Sequence, residues 1–562
     1  MPEIVRRQSD PAVVELLVGA GCDPRLARLY AARGLSSPAE LESSLKSLAP
    51  PDRLWRVDDA ARLLADSIER KEKLLVVADY DADGATACAV GVKALRAFGA
   101  AVDYLVPNRF EHGYGLTPEI VREAATRAPD VLITVDNGIA AVEGIEEANR
   151  LGMRVLVTDH HLPGDRIPAA ACIVNPNQAG CGFPSKNLAG VGVIFYTMLA
   201  LRAELRRRGA FATAKSEPNL AELLDLVALG TVADVVKLDA NNRILVAQGL
   251  ARIRAGKASP GIAALLEVAG RSAKVASAYD LAFSAGPRLN AAGRLQDMSL
   301  GIECLLAPDH ARAHDLAMKL DRLNRERREI EVEMQESALE MLAGIDAGDG
   351  YTLALHKPEW HAGVVGLLAS RLKDRFHRPV FAFAAESDGR LTGSGRSIPG
   401  LHLRDALDLV DKRNPGLIER FGGHAAAAGA TIASGMLEKF RHAFESTARE
   451  ALTPSDLEQR VETDGELEPR DMTIDFATAI RDQVWGQGFP EPRFTGRFAV
   501  ESQRVVGEKH LKLMLVLGRQ RFSAIRFGSA EPMPASIEAV YRLDINEYQG
   551  ASSVQLVLDH AL

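Results

Sequence analysis

The chain has 562 residues, 47% hydrophobic and 25% charged. That excludes a disordered chain and, at roughly 100–200 residues per domain, suggests about three to five domains. Its 67 basic and 75 acidic side chains leave a formal charge of −8, so it does not coat nucleic acid through bulk charge. Any such contact must rest on local patches or on metal ions in an acidic site. Five cysteines, at 22, 88, 172, 181 and 304, form no C-x-x-C pair, which argues against a disulfide framework and a cysteine zinc site. The polar opening MPEIVRRQSDP lacks the apolar core of a secretion signal, and the longest apolar stretch, Leu188 to Leu201, is short for a bilayer. The expectation is a cytoplasmic protein with no membrane contact.

Residues 1–70 show apolar side chains at helical spacing, in VVELLVGA and ARLLADSIER. From Leu74 the pattern changes. LLVVA (74–78) ends in Asp79-Tyr80-Asp81-Ala82-Asp83-Gly84, VLITV (131–135) in Asp136-Asn137-Gly138, and VLVT (155–158) in Asp159-His160-His161. Short Val-rich runs alternating with helices predict a doubly wound parallel sheet, whose ligands bind outside the carboxyl ends of the strands. A long charged helix is predicted over about 310–343. YTLAL (351–355) and PVFAFA (379–384) then read as strands of a second, smaller α/β block. An acidic, proline-containing boundary near 453–470 precedes short alternating strands, which predict an all-β barrel. The predicted organisation is an α/β multidomain chain. It has a helical segment over 1–50, the main α/β domain over 51–250 and a connecting helical region over 251–345. The second α/β domain covers 346–450, and the β module covers 451–562.

Asp79, Asp81, Asp83, Asp136 and Asp159 all fall at predicted strand ends. Two carboxylates about 4 Å apart repel by roughly 4 kcal/mol at an effective dielectric near 20. Such a row must bind cations or hold protons. Carboxylates with a neutral imidazole favour Mn²⁺ or Mg²⁺ over softer ions. An aspartate after a strand also commonly caps the next helix, so any one of these positions alone is ambiguous. D-x-D-x-D-G, D-N-G and D-H-H in order, at three strand ends, are much harder to read as caps. Gly190-Val191-Gly192 reads as a buried helix start with a close backbone approach. No G-x-x-x-x-G-K-[ST] occurs, which argues against ATP hydrolysis.

DYDADG, DNG and DHH in this order resemble the DHH phosphoesterase superfamily. Further segments narrow the likeness: PNRFEHGYGL (107–116), LAGVGVIFY (188–196), LDLVALGTVADVV (224–236), GPRLNAAGR (286–294), EWHAGVVGLLASRL (359–372), GSGRSIPG (393–400) and FGGHAAAAGA (421–430). Together they resemble the superfamily's bacterial single-strand-specific 5′→3′ exonucleases over nearly the whole chain. The resemblance implies a DHH catalytic domain, a DHHA1 substrate-binding domain and an oligonucleotide-binding (OB) fold. It also implies two Mn²⁺ or Mg²⁺ ions on Asp81, Asp83, Asp136, His160 and a fourth-motif aspartate, Asp234 in preference to Asp225. Asp136 is then the natural bridging ligand, Asp79 a catalytic residue that ligates an ion directly or through a neighbouring ligand, and His161 a catalytic contact to the phosphoryl group or leaving group. Val77 and Tyr80 stand where related phosphatases carry an upstream histidine. The implied chemistry is in-line attack of water activated by two ions.

For the substrate, the expected contacts are Arg109, Ser394 and Arg396 in the glycine-rich GSGRS loop, His424, and Arg288, Asn290 and Arg294. Lys509, Lys512, Arg519, Arg521 and Arg526 would form a basic track on the β module. The expected partners are single-stranded DNA, single-strand-binding protein and a RecQ-type helicase, with the enzyme a monomer serving repair and recombination. Two other readings stand beside this one: a phosphodiesterase or pyrophosphatase for short oligonucleotides or cyclic dinucleotides, and a non-catalytic replication scaffold. Retention of the full acidic set favours catalysis.

Overall fold

The computed structural model describes residues 3–108, 115–211, 217–342, 350–386, 388–507, 509–548 and 550–561. It divides into two compact units, one built mainly from Arg322–Val461 and one from Arg6–Asp321 together with Glu462–Leu562.

The larger unit is organised by a five-stranded parallel sheet: β1 (Lys73–Ala78), β2 (Ala101–Leu105), β3 (Val131–Val135), β4 (Arg154–Thr158) and β5 (Cys172–Val174). Spatial order is β2-β1-β3-β4-β5, and all pairings are parallel. Every residue of β3 is buried, as a strand covered on both faces requires. One face carries α1 (Val57–Glu69) and α2 (Ala82–Ala97). The other carries α3 (Pro118–Ala125) and α4 (Val142–Arg150), whose Ile120, Ala124, Ile145 and Ala148 pack on Leu75, Val77, Leu132 and Val155. Next in the chain come α5 (Gly190–Arg207), which packs against α1 and α2, then α6 (Leu224–Ala233) and α7 (Pro260–Val268). A π-helical turn, Leu281–Ala285, leads into α8 (Gly286–Leu295), and α9 (His310–Leu342) follows as a helix of 33 residues. The sequence pattern marked three of the five strands. It missed β2, whose AVDYL alternates on the half-exposed sheet edge, and β5, only three residues long.

In the smaller unit, α10 (Val365–Phe376) packs on a mixed sheet of β6 (Leu353–His356), β7 (Val380–Ala385), β8 (Arg390–Arg396), β9 (Arg420–Gly423) and β10 (Ala427–Ala433), in the order β9-β10-β8-β7-β6. This corrects the reading of GSGRS as a loop: Ser394 and Arg396 sit on β8, a strand inside the sheet. The glycines there serve packing. A Cβ on Gly393 would lie 2.4 Å from the Phe383 ring, and one on Gly395 would lie 2.5 Å from Phe381.

The C-terminal residues close a five-stranded barrel of β11 (Phe494–Val506), β12 (His510–Leu517), β13 (Gln520–Arg526), β14 (Ser536–Tyr548) and β15 (Ala551–Ala561), in the order β11-β12-β13-β15-β14. The barrel follows the small α/β block in sequence but belongs to the larger unit in space. Arg33 holds the segments that lead into it, pairing with Asp464 at 2.8 and 2.9 Å and donating to the Pro490 carbonyl at 2.6 Å. The Leu238 N–H donates to the Gln487 carbonyl at 2.8 Å. No helix among the described residues is long and apolar enough to cross a membrane.

Candidate metal centre and active site

Parallel register sets the first line of the site. Ala78 pairs with Val135, Val135 with Thr158, and Thr158 with Val174. The residue after each strand therefore stands beside its neighbour, about 4.8 Å away across adjacent strands. Those residues are Asp79, Asp136 and Asp159. Their N–H groups continue the ladder, donating to the carbonyls of Val135, Thr158 and Val174 at 3.2, 3.0 and 3.1 Å. All three are 4% exposed or less.

Asp81 caps α2, its Oδ1 accepting from the N–H groups of Asp83 at 2.9 Å and Gly84 at 3.0 Å. The cap and the site are one device, since Asp81 also shares a ligand-sized cluster with Asp79 and Asp136. Asp83, two residues further on, is held by the opposite helix. Gly190 N and Val191 N, at the start of α5, donate to its two oxygens at 2.6 and 2.8 Å. The sequence reading of Gly190 as a close approach has a specific cause. A Cβ there would lie 2.5 Å from the Asp136 Cβ and 2.6 Å from its Oδ1. Asp136 itself bends into the row at φ +62°.

His160 reaches this row from β4. Its Nε2 lies 3.1 Å from Asp136 Oδ1 and 3.5 Å from Asp234 Oδ2. Asp83, His160 and Asp234 form a second ligand-sized cluster, and Asp136, His160 and His161 a third. Of the two fourth-motif candidates, Asp234 thus joins the centre. Asp225 is turned elsewhere, its Oδ2 accepting from the Ser259 N–H at 2.6 Å. Asp234 ends α6, and the next residue, Val235, has φ +61°. A β-branched residue there costs about 1–2 kcal/mol, a strain that no sequence signal announces.

The electrostatics follow from crowding. Burial, reinforced by the Asp81 charge, pushes the Asp83 carboxyl up to about 7. Burial and the surrounding aspartates hold Asp136 and Asp234 well above the usual carboxylate range. Burial, with the charge of His161 beside it, drops His160 to about 4, so its imidazole is neutral. The approach of His160 to Asp136 is therefore no ion pair. Both facing atoms are buried and lack hydrogen-bond partners among the described residues. A buried acceptor facing a buried acceptor, within a ring of acids, is a donor set for hard divalent cations. The residues present fit two such ions, Asp136 being shared between clusters.

His161 has the opposite character. Although burial opposes its charge, the Asp159 carboxylate, 2.7 Å from Nδ1, raises it to about 9. In turn, burial would lift Asp159, but the hydrogen bond and charge of His161 bring it below the ordinary value. Asp159 also accepts from the Ile139 N–H at 2.9 Å. The sequence placed Asp159 at a strand end without giving it a task; the D-H-H spacing was the available signal. Beside His161 lies a cavity of about 340 Å³, bordered by Asn137, Gly138, Ile139, Asp159 and Arg166.

The other expected contacts divide. Asn290 is at the centre, its Oδ1 accepting from the Ala82 N–H at 2.8 Å, where it braces the D-x-D turn. Arg288 is buried, with Asp321 3.0 and 2.8 Å from its guanidinium and the Ser284 carbonyl at 2.6 Å. That holds it inside the helical packing. Arg294 stands half-buried in the last turn of α8. In the smaller unit, Arg396 donates to Ser394 Oγ at 3.0 Å and to the Gly395 carbonyl at 2.8 Å. Burial pulls its guanidinium down, and no acid among the described residues acts on it. His424 is exposed in the turn between β9 and β10. Arg109 lies outside the described residues. On the barrel, Arg521 is paired with Glu501 at 2.6 Å, which subtracts one cation from the expected basic track.

Comparison with known proteins gives the family of the domains that carry these residues. Residues 73–231 match the family model for the DHH family N-terminal domain, 348–450 that for the DHHA1 domain, and 463–560 that for the RecJ OB domain. The class is thus a DHH-type hydrolase fold with an added DHHA1 domain and OB barrel. The chain is 52% identical to the single-stranded-DNA-specific exonuclease RecJ of Dickeya dadantii over 95% of each sequence. It is also 52% identical to that of Escherichia coli, over 96% of this chain and 95% of the relative. The crystal structure of Thermus thermophilus RecJ in complex with Mn²⁺ superposes with a TM-score of 0.82 at 30% identity, covering 100% of this chain and 79% of that one. The chain belongs to the RecJ family.

Proposed function

We propose that this chain hydrolyses single-stranded DNA from its 5′ end, releasing mononucleotides, with Mn²⁺ or Mg²⁺ as cofactor. The observation that carries the reading is the acid row with neutral His160 inside it, in a chain 52% identical to two curated RecJ exonucleases. Asp79, Asp81, Asp83, Asp136, His160 and Asp234 are the residues that would hold the ions. Bound there, divalent ions would supply Lewis acidity, which makes water nucleophilic at neutral pH and offsets phosphoryl charge.

The chain's own residues do the rest. Asp159 fixes the His161 ring and keeps it charged, so His161 presents an imidazolium N–H to a phosphoryl or leaving-group oxygen. Asp83, clamped by the α5 backbone, keeps its carboxylate in one orientation. Asn290 holds the turn that carries Asp81 and Asp83. In the smaller unit, Arg396 is a largely buried cation with no acid among the described residues acting on it, and with Ser394 it suits a terminal 5′-phosphate. Arg109, Arg294 and His424 are assigned to the strand that follows. We infer a cytoplasmic monomer acting in repair and recombination on strands opened by a RecQ-type helicase and covered by single-strand-binding protein.

The test is digestion of 5′-labelled single-stranded and duplex DNA with Mn²⁺ or with chelator. Labelled mononucleotide from the single strand alone, and only with metal, is the expected result. Turnover confined to dinucleotides, or binding without hydrolysis, would overturn it.

A further inference from the structure

A second group of metal-ligating side chains stands on the larger unit, apart from the acid row. Glu267 lies near the end of α7, and His310 and His314 lie in the opening turns of α9. Four residues apart on a helix, the two histidines share one face. Their rings are 5.9 Å apart and inclined by 26°. Glu267 Oε2 lies between them, 2.9 Å from His310 Nε2 and 3.9 Å from His314 Nδ1. The three ligand atoms all lie within 4.8 Å of one another.

An ordinary surface His–Glu contact accounts for the 2.9 Å pair only. It leaves His314 Nδ1, an atom shielded from solvent, without a hydrogen-bond partner among the described residues. Buried polar atoms rarely stay unpaired. A tetrahedral ion with bonds of about 2.0–2.2 Å sets its ligand atoms roughly 3.3–3.5 Å apart. The observed 2.9 and 3.9 Å straddle that value. The side chains are 56%, 57% and 38% exposed, so adjustments of about half an ångström meet little resistance.

We propose that Glu267, His310 and His314 form a binding site for a transition-metal ion of the Zn²⁺ class, separate from the catalytic centre. The donor chemistry separates the two sites. The acid row offers mostly carboxylates and favours hard Mn²⁺ or Mg²⁺. This group offers two imidazoles and one carboxylate, which favours Zn²⁺, Ni²⁺ or Co²⁺. Three protein ligands leave a fourth position open to water. The bound ion clips the end of α7 to the first turns of α9, fixing the root of that long helix.

The experiment uses the full chain in millimolar Mg²⁺, which occupies the acid row, with Zn²⁺ titrated by calorimetry. Wild type is expected to take up one more Zn²⁺ than the His310→Ala/His314→Ala variant and to show a Zn²⁺-dependent rise in melting temperature that the variant lacks. Glu267→Gln, a milder change, is expected to weaken that Zn²⁺ at least ~10-fold. Both variants should melt with wild type in chelator and keep wild-type exonuclease turnover in Mg²⁺. Equal Zn²⁺ uptake by wild type and the double variant overturns the proposal. So does an unchanged Zn²⁺ affinity in Glu267→Gln, which decides the matter if the double variant proves misfolded in chelator.

Discussion

Replacing Asp136 by Asn tests the account of the acid row. The side chain is 1% exposed, and Asp83, Asp81, Asp234 and Asp79 all push its proton affinity upward. Two carboxylates about 4 Å apart repel by roughly 4 kcal/mol at a dielectric near 20. The neighbouring Asp83 is raised in the same direction, to about 7, by burial first and the Asp81 charge second. A carboxyl raised in the fold holds its proton more tightly there than in the unfolded chain. Stability therefore falls as pH rises from the unfolded value through the folded one. The Asn variant removes one such group, and its amide can donate to the orphaned His160 Nε2, 3.1 Å from the Asp136 oxygen. In chelator, Asp136→Asn should be more stable than wild type by about 2–4 kcal/mol at pH 8 and by little near pH 4. With Mn²⁺ at a thousandfold excess over Kd the gap closes or reverses, because wild type gains roughly 4.1 kcal/mol and the variant lacks a shared ligand. DNA cleavage should drop on the order of 10³-fold, with strand binding largely kept. Urea or thermal unfolding at the two pH values, with and without Mn²⁺, makes the measurement. A variant that is less stable in chelator at pH 8, or whose effect ignores pH, refutes the reasoning.

Three further outcomes are expected. Gly190→Ala drives a methyl group onto the Asp136 carboxylate and should cost at least ~100-fold in turnover while circular dichroism stays native. With His161 at about 9, turnover that needs its imidazolium holds below that pH and falls above it. Asp159→Asn should move this basic limb down toward the ordinary histidine value near 6.5, and an unmoved limb in the pH–rate profile would exclude the pairing as its cause. Arg396→Ala should raise KM for 5′-phosphorylated strands by ~10–150-fold, the worth of a charge-assisted contact of about 1.5–3 kcal/mol, and scarcely affect strands ending in hydroxyl. Equal losses on both substrates would remove Arg396 from the terminal-phosphate contact.

What could be read from the chain depended on whether the cause was local. A buried parallel strand must be apolar along its length and must end in something polar. LLVVA-D, VLITV-D and VLVT-D therefore announced both the sheet and the edge where Asp79, Asp136 and Asp159 meet. Their side-by-side placement needs only adjacency of strands, which motif order supplies. Causes that lie in another part of the chain left no such mark. GSGRS looks like a loop because its glycines are small, yet they are small because Phe381 and Phe383 lie across the sheet from them. Arg288 carries the same charge as a DNA-facing arginine, and its pairing with Asp321, 33 residues away, shows that it is held inside. Asp225 and Asp234 are both acids on one short helical stretch, and what separates them is the Ser259 N–H that occupies the first and the His160 ring that faces the second. The site's chemistry is thus written in strand-end motifs, whereas the choice between two equivalent-looking side chains is made by residues tens of positions away.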